Sequence, residues 1–229
     1  MAGLEGVDQL LVDGQDLPAF DLHCPLLTLP LACGTVASRI PADVPYLAAS
    51  TSQKQKWQQR LGPRPGLRAG LVWSGNLDHA NDGNRSIALA ELLRHLPDGV
   101  QYISLQKEVR DHDNATLAAN PQILRFDSEM ADFTDTAALC EIVDVVISVD
   151  TSVAHLAGAL GRPVWMALPF NPDWRWMLER DDSPWYPSAK LYRQQAGGDW
   201  GSALCRLKTD LEKLLFALGP TSHSPGVSP

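Results

Sequence analysis

The sequence contains no long apolar run, and its amino end does not look like a leader. No stretch approaches the roughly 20 apolar residues that a membrane-spanning helix needs. The first residues do not combine a basic region with an apolar one, as a secretory signal does. Cysteine is scarce, and the four residues form no Cys-x-x-Cys pair: Cys24, Cys33, Cys140 and Cys205. We therefore expect no integral membrane segment, a cytoplasmic location and reduced, buried thiols.

Positive charge and several familiar motifs are also missing. The formal net charge is -8 and the pI is about 5.1, which argues against a nucleic-acid or anionic-membrane partner. The absence of Gly-x-Gly-x-x-Gly and P-loop motifs argues against standard dinucleotide and P-loop sites. No Ser/His/Asp triad can be recognised, and the polar stretch 78–82 lacks a known metal-ligand spacing. We therefore expect no metal ion and no cofactor.

The sequence does contain a clear strand–turn–helix–strand pattern at residues 145–165. Residues 145–149 are almost all apolar and mostly β-branched, as in a parallel strand covered on both faces. Thr151 is a residue type that caps helices, while Gly161 and Pro163 end the helix before the next strand. In open α/β sheets, ligands bind beyond the carboxyl ends of strands, where helix amino ends face anions. Four residues are predicted to lie there, although an ordinary capped turn is the alternative: Asp150, Thr151, Ser152 and His155.

Strand-like and helix-like stretches alternate from residue 67 onward, and this spacing implies an α/β fold with one complete doubly wound parallel sheet. The predicted strands are 67–73, 100–105, 123–126, 145–149, 164–168 and 190–192. The predicted helices include 52–61, 86–96 and 135–142, with Ser86, Asp135 and Asp199 as helix caps.

The Gly-Pro-rich stretch 62–66 is the best linker and divides the chain into unlike parts. Residues 1–62 are irregular and are predicted to be a remnant of an amino-terminal domain. Within them the apolar, proline-broken stretch 20–31 is expected to be buried. Residues 63–217 form the regular domain, and the Pro- and Ser-rich tail 218–229 is predicted to be disordered.

Further polar residues follow the first two strands of the regular domain. Ser74 can donate a hydrogen bond to a phosphate oxygen, Gly75 allows close backbone approach, and Arg85 offers a planar fork suited to phosphate. A carboxylate in the segment 106–108 can accept from ribose hydroxyls, and Phe133 can wall a nucleobase. The alternatives are a polar surface loop, a solvated helix start and a core aromatic. The candidates are Ser74, Gly75, Asn76, Arg85, Gln106, Lys107, Glu108 and Phe133.

These residues occur within a recognisable series of segments. The segments are Gly70-Leu-Val-Trp-Ser-Gly-Asn76, Asn84-Arg-Ser86, 104–108, 135–139, 148–161, 172–176 and 183–187. Together they resemble the glycosyltransferase-like domain at the carboxyl end of many bacterial tetratricopeptide-repeat proteins. That domain is similar to the ADP-heptose:lipopolysaccharide heptosyltransferases of glycosyltransferase family nine, and the resemblance covers about residues 18–217.

The resemblance implies a GT-B architecture, with two Rossmann-like domains and a nucleotide-sugar donor held mainly by the second. Residues 63–217 would be that donor-binding domain. Ser74 and Arg85 would hold the diphosphate, and Thr151 and Ser152 would add phosphate contacts.

The same resemblance assigns the rest of the donor. Asp150 would hydrogen-bond the donor sugar, and His155 would support that turn. The segment 106–108 would meet the ribose, and Phe133 would lie near the base. The implied activity is metal-independent transfer of a sugar from a nucleotide diphosphate to an unknown acceptor, either a glycan or a protein.

The sequence departs from the family's pattern in two ways that affect the expected activity. Arg85 stands where the family usually has lysine, and Ser152 stands where it has glycine. The first domain is expected to be truncated, because the strand and loop that carry the family's proposed catalytic carboxylate have no counterpart here. The catalytic residue is therefore unknown, with His23 as a weak candidate, and a non-catalytic nucleotide-sugar-binding module is the alternative.

Overall fold

The computed structural model describes residue 4 and residues 6–218, with a five-stranded parallel sheet at its centre. The strands are β1 (Arg68–Val72), β2 (Gln101–Ser104), β3 (Val145–Val149), β4 (Val164–Leu168) and β5 (Ala189–Arg193). The helices are α1 (Leu29–Ala32), α2 (Thr51–Leu61), α3 (Asp82–Arg85), α4 (Leu89–Leu93), α5 (Asp111–Ala119), α6 (Phe133–Ile142), α7 (Ser152–Ala159) and α8 (Trp200–Leu218). Short 3-10 turns occur at Leu26–Thr28, Ala37–Arg39 and Trp174–Trp176.

The strand order, β2-β1-β3-β4-β5, places the first strand inside the sheet. Gly70 of β1 lies opposite Ile103 of β2 on one side and Val146 of β3 on the other. The chain therefore goes outward to β2 and then crosses back to β3, so that the strand order reverses next to β1. The reversal opens a crevice at the carboxyl ends of the strands, which is where ligands bind in such sheets.

Helices cover both faces of the sheet. Residues of α2, α6 and α7 pack with Val72 and Val146 on one face. Residues of α4, α5 and α8 pack with Leu71 and Ile147 on the other face. Because successive strand residues point to opposite faces, both sets must be apolar. The predicted doubly wound α/β sheet is confirmed, and its uninterrupted apolar strands follow from this two-sided burial.

The prediction of a strand at 123–126 was wrong apart from one position. Leu124 forms a single parallel bridge with Ile103 at the edge of β2, and its amide and carbonyl pair with Tyr102 and Ser104. The carbonyl of Phe126 then accepts from the amides of Glu129 and Met130, so the chain turns away from the sheet.

Two of the three predicted helix caps were misplaced by a few residues. Ser86 follows α3 instead of starting the next helix, and its hydroxyl donates to Asp82. Asp132, not Asp135, caps α6 by accepting from the amide of Thr134. The Asp199 cap is confirmed, because its carboxylate accepts from the amide of Ser202 at 3.2 Å.

Most of the segment before α2 lies outside the core, and only its last residues, Val44, Leu47 and Ala49, pack with it. None of its described residues up to 48 is buried, so the expectation that 20–31 is buried was wrong. The carboxyl end of the segment reaches the domain at Tyr46 and Leu47, whose amides donate to the carbonyl of Ala159. Helices already cover both faces of the sheet, and residues 20–31 therefore lie outside its core. The division at residue 62 stays a prediction, although α2 itself packs against α6.

Three remaining expectations concern the cysteines, the tail and membrane helices. All four cysteines are free, but only Cys140 is buried, so the prediction of buried thiols was wrong for the other three. Leu218 ends α8, and the rest of the predicted tail, 219–229, lies outside the described residues. Within residues 6–218, no helix combines the length and the apolar character that crossing a bilayer requires.

Candidate functional site

A cavity of about 490 Å³ lies at the carboxyl ends of β1, β2 and β3. Ten of the twelve predicted site residues line it: Ser74, Gly75, Asn76, Arg85, Gln106, Lys107, Glu108, Phe133, Thr151 and Ser152. Six further residues complete the lining: Val72, Leu105, Ala131, Asp132, Thr136 and Val153. Residues up to 81 positions apart in the sequence therefore meet at the crevice where the strand order reverses.

The Ser74–Gly75 loop is held in place by Gln106. The Oε1 atom of Gln106 accepts from the amides of Trp73 and Ser74 at 3.2 Å each, and its Nε2 donates to the Ser74 carbonyl at 3.0 Å. The Ser74 hydroxyl is buried, and it has no hydrogen-bond partner among the described residues. Gln106 thus ties the ends of β1 and β2 together, while the Ser74 hydroxyl remains free to bond a ligand.

Arg85 lies directly against Gly75. A Cβ atom at Gly75 would be 2.3 Å from Nη2 of Arg85, closer than two such atoms can approach. The guanidinium is fixed by Nη1, which donates to the carbonyl of Asp150 at 2.8 Å, and Nε lies 3.7 Å from the Asp82 carboxylate. Glycine at position 75 therefore allows the arginine to reach across from α3 to the end of β3.

Arg110 supports the same loop and was missed by the sequence analysis. Its Nη2 donates to the Gly75 carbonyl at 3.2 Å and to the Ser86 hydroxyl at 3.0 Å, and it pairs with the Asp82 carboxylate. The Ser86 hydroxyl in turn accepts from the Gly75 amide at 3.0 Å. No short-range pattern announces this role, because Arg110 is 28 residues from Asp82.

The amino end of α7 faces the cavity. Thr151 occupies the N-cap position, but its side chain does not cap the helix and lies 3.1 Å from the Ser148 hydroxyl. The amides of Ser152 and Val153 have no acceptor among the described residues, and both residues line the cavity. Unpaired amides at a helix start carry partial positive charge and attract anions.

The opposite end of the cavity is more apolar. Phe133 begins α6 with 56% of its surface exposed, and Val72 and Leu105 line the same cavity. Lys107 does not present a free ammonium, because its Nζ donates to the carbonyls of Asp127 and Met130. Lys107 thereby holds the turn that leads into α6.

Asp150 and His155 do not line the cavity. The His155 ring stacks on Trp176 with the ring centroids 5.1 Å apart, and Nδ1 lies 3.1 Å from the Tyr186 hydroxyl. Burial lowers the pKa of His155, and the Asp150 carboxylate, 3.8 Å from Nε2, only partly opposes this. The pair therefore borders the site from the α7 side, and Asp150 is joined to the cavity through its carbonyl bond with Arg85.

His23, the weak candidate for a catalytic residue, does not line the cavity either. His23 is exposed and belongs to the segment before α2. Its aromatic neighbour is Phe20, with ring centroids 6.4 Å apart. The geometry therefore adds no support for a catalytic role of His23.

The arrangement corresponds to a heptosyltransferase-like glycosyltransferase fold. The structure aligns with E. coli ADP-heptose LPS heptosyltransferase II at a TM-score of 0.51 and 20% sequence identity, over 79% of this chain and 56% of that chain. This likeness confirms the predicted fold. It shows the fold alone, since the sequences are far apart.

Among curated proteins, the chain is similar to Protein FlbA of Caulobacter vibrioides. The two are 29% identical over 185 residues, which is 76% of this chain and 30% of FlbA. The chain therefore spans less than a third of that relative's length and just over half of the heptosyltransferase. No protein-family model matches the chain.

Proposed function

We propose that the cavity binds a nucleotide-diphosphate sugar and that the chain is the donor-binding part of a glycosyltransferase. The observation that carries the proposal is the unpartnered, buried Ser74 hydroxyl. It lines the same cavity as the Arg85 guanidinium and the free amides of Ser152 and Val153. These groups are all donors, and a diphosphate supplies the acceptors that they lack.

The polar and the aromatic parts of the cavity lining support one orientation of the bound donor. The diphosphate lies between Arg85 and the amino end of α7, and the nucleoside lies toward Phe133. The exposed Glu108 carboxylate, at the end of β2, accepts from the ribose hydroxyls. Asp150, whose carbonyl accepts from Arg85, is the residue that we propose to hydrogen-bond the donor sugar.

In the proposed reaction, an acceptor hydroxyl attacks the anomeric carbon of the donor sugar. A new carbon–oxygen bond forms, and the bond from that carbon to the diphosphate oxygen breaks, with inversion. The departing diphosphate gains negative charge, which Arg85 and the helix amides stabilise without a metal ion. The proton of the acceptor hydroxyl goes to a base that is not assigned to a residue.

Calorimetric titration of the full chain with ADP, GDP, UDP and CDP, and with their hexose conjugates, tests the donor site. For the tightest ligand, we expect Arg85→Ala to weaken binding roughly 10- to 100-fold, because hydrogen bonds to charged groups contribute about 1.5–3 kcal/mol. Arg85→Lys keeps the charge without the planar fork and should recover only part of that loss.

Arg60→Ala is the matched control. Arg60 belongs to α2, pairs with Glu129 and does not line the cavity. We expect this variant to bind like the parent. Equal affinity in the parent, Arg85→Ala and Arg60→Ala would show that the cavity is not the donor site.

A further inference from the structure

A second cavity, of about 210 Å³, lies at the carboxyl ends of β4 and β5. It shares α3 with the first cavity: Arg85 lines the first one, and its neighbour Asn84 lines the second. Phe170 and Asn171 come from the loop after β4, and Gln194 directly follows β5. Both cavities therefore belong to the same edge of the sheet, on the two sides of one short helix.

Gln194 has a buried hydrogen-bond donor without a partner in this second cavity. The residue is only 5% exposed, and its Oε1 accepts from the amides of Phe170 at 3.0 Å and Gly198 at 3.2 Å. Because both neighbours are donors, the side-chain oxygen must face them, and Nε2 is left as the free donor. That Nε2 is buried and has no partner among the described residues. A buried donor without an acceptor is costly, so an acceptor in the cavity would relieve it.

The residues that line the cavity limit the class of ligand that can supply this acceptor. None of the nine lining residues is charged, so the cavity offers no cation for a phosphate and no carboxylate for a metal ion. Asn84, Asn171 and Gln194 bring amides that donate and accept, as hydroxyl groups do. Phe170 adds an aromatic ring that is 59% exposed. A purely apolar ligand would leave the Gln194 donor unpaired.

We propose that this second cavity binds the ring of a neutral, hydroxyl-rich ligand, namely a sugar residue. Ring hydroxyls accept from Gln194 and exchange hydrogen bonds with Asn171 and Asn84, while the C–H face of the sugar packs on Phe170. The sugar has two possible sources, the donor nucleotide sugar or a glycan acceptor. The inference does not depend on nucleotide binding, because neither Gln194 nor Asn171 lines the first cavity.

The test is a titration of the ¹⁵N-labelled full chain, followed by NMR, with glucose, galactose, mannose and N-acetylglucosamine. We expect at least one sugar to shift the Gln194 side-chain signals and the Gly198 amide in a saturable manner. Asn171→Ala and Phe170→Ala should each weaken that binding at least fivefold. Both residues are exposed, so the fold should survive, and unchanged spectra for α8 would verify it.

Gln122→Ala removes a comparable surface amide that, within residues 6–218, bonds to Asn120, and it should leave sugar binding unchanged. The proposal is overturned if no sugar, free or nucleotide-linked, produces saturable shifts at Gln194 and Gly198. It is also overturned if the two variants bind sugar as tightly as the control.

The nucleotide diphosphates and their hexose conjugates then identify the source of the sugar. If the cavity holds the donor's sugar, Asn171→Ala removes the extra affinity of a nucleotide hexose over its nucleotide diphosphate. If it holds an acceptor's sugar, free sugar still binds when the nucleotide hexose is present. Nucleotide binding itself is followed at Gly75 and Val153, so failure of the donor site can be distinguished from failure of the sugar site.

Discussion

Gly75 illustrates how much of this site depends on a missing side chain. The loop after β1 must let the Arg85 guanidinium pass close to its backbone, and Arg85 cannot withdraw without losing its bond to the Asp150 carbonyl. From the sequence, Gly75 is predicted to allow close backbone approach to a ligand. In the structure, the group that approaches it is the side chain of Arg85.

We expect Gly75→Ala to weaken nucleotide-sugar binding about tenfold or more, because the new Cβ would displace the guanidinium that faces the diphosphate. Gly66→Ala is the control, since a Cβ at Gly66 meets nothing within 4 Å. Calorimetric titration measures both variants. Binding by Gly75→Ala at the parent's affinity would contradict the role given to Arg85.

For Gln106 and Lys107, the sequence predicted the position but not the contacts of the side chains. Sequence position correctly placed them beside the cavity, but the hydrogen bonds of both side chains go to backbone atoms of neighbouring loops. Their contribution to a site is therefore to fix the Ser74 loop and the turn before α6. Glu108, which has an exposed side chain, is better placed to contact a ligand directly.

At the scale of elements, one buried carboxylate makes several of the bonds that join α2 to α6. Asp135 of α6 accepts from Trp57 Nε1 and Lys56 Nζ at 2.8 Å each, and from the Ala131 amide at 2.9 Å. Burial raises the pKa of Asp135, but these three bonds together lower it below its usual value. The charged form is therefore the one that holds α2 and α6 together.

Asp135→Asn should lower the free energy of unfolding by about 2–3 kcal/mol at pH 7, because hydrogen bonds to a charged group are lost. A lowered native pKa means that the contribution of Asp135 is present above about pH 4, near its unfolded pKa, and disappears as the pH falls through the native value. Urea unfolding at several pH values should show the two proteins converging in acid.

Glu129→Gln is the control for this effect. Glu129 also pairs with α2, through Arg60, but both side chains are largely exposed. We expect a clearly smaller loss for this variant. An equal loss for the two substitutions would contradict the special role of the buried carboxylate.

The packing of α7 against Tyr186 gives another prediction. A Cβ at Gly158 would be 2.4 Å from Cγ of Tyr186, whereas one at Gly201 in α8 would meet only Asp199, at 3.5 Å. Alanine normally stabilises a helix by about 1 kcal/mol over glycine, but overpacking costs about 1–3 kcal/mol. Thermal or urea unfolding should therefore show Gly158→Ala to be destabilised and Gly201→Ala to be unchanged or stabilised. Stabilisation of both would contradict the close contact with Tyr186.

At the scale of the whole molecule, the segment before α2 is the least integrated part. Between residues 6 and 40 it carries many exposed apolar side chains, among them Phe20, Leu22 and Leu27. Because none of the residues between 6 and 40 is buried, this stretch contributes little to the stability of the sheet domain.

Removal of residues 1–40 should change the free energy of unfolding by less than about 1 kcal/mol, since none of the described residues among them is buried. Urea denaturation of the shortened and full chains, followed by tryptophan fluorescence, measures the difference. The seven tryptophans all lie after residue 56, so both proteins carry the same reporters. A large loss of stability would mean that the segment packs on the domain.

Local sequence determined five strands, most helices and the polar ends of the strands, because apolar runs, capping residues and glycine act over a few positions. The apolar run 145–149, followed by Asp150, Thr151 and Ser152, was enough to predict β3 and the start of α7. Parallel strands share an edge where they end, so ten of the residues that line the cavity could be placed together from the sequence.

Tertiary structure alone decided the contacts between segments distant in sequence. In the folded protein, His155 faces Trp176 and Tyr186, and Arg110 pairs with Asp82. Asp135 accepts a hydrogen bond from α2 instead of capping α6. The second cavity could not be foreseen either, because its amides come from α3 and from the ends of β4 and β5. The physical reason is the same in each case: side-chain direction and burial depend on which elements pack together, and a local pattern does not contain that information.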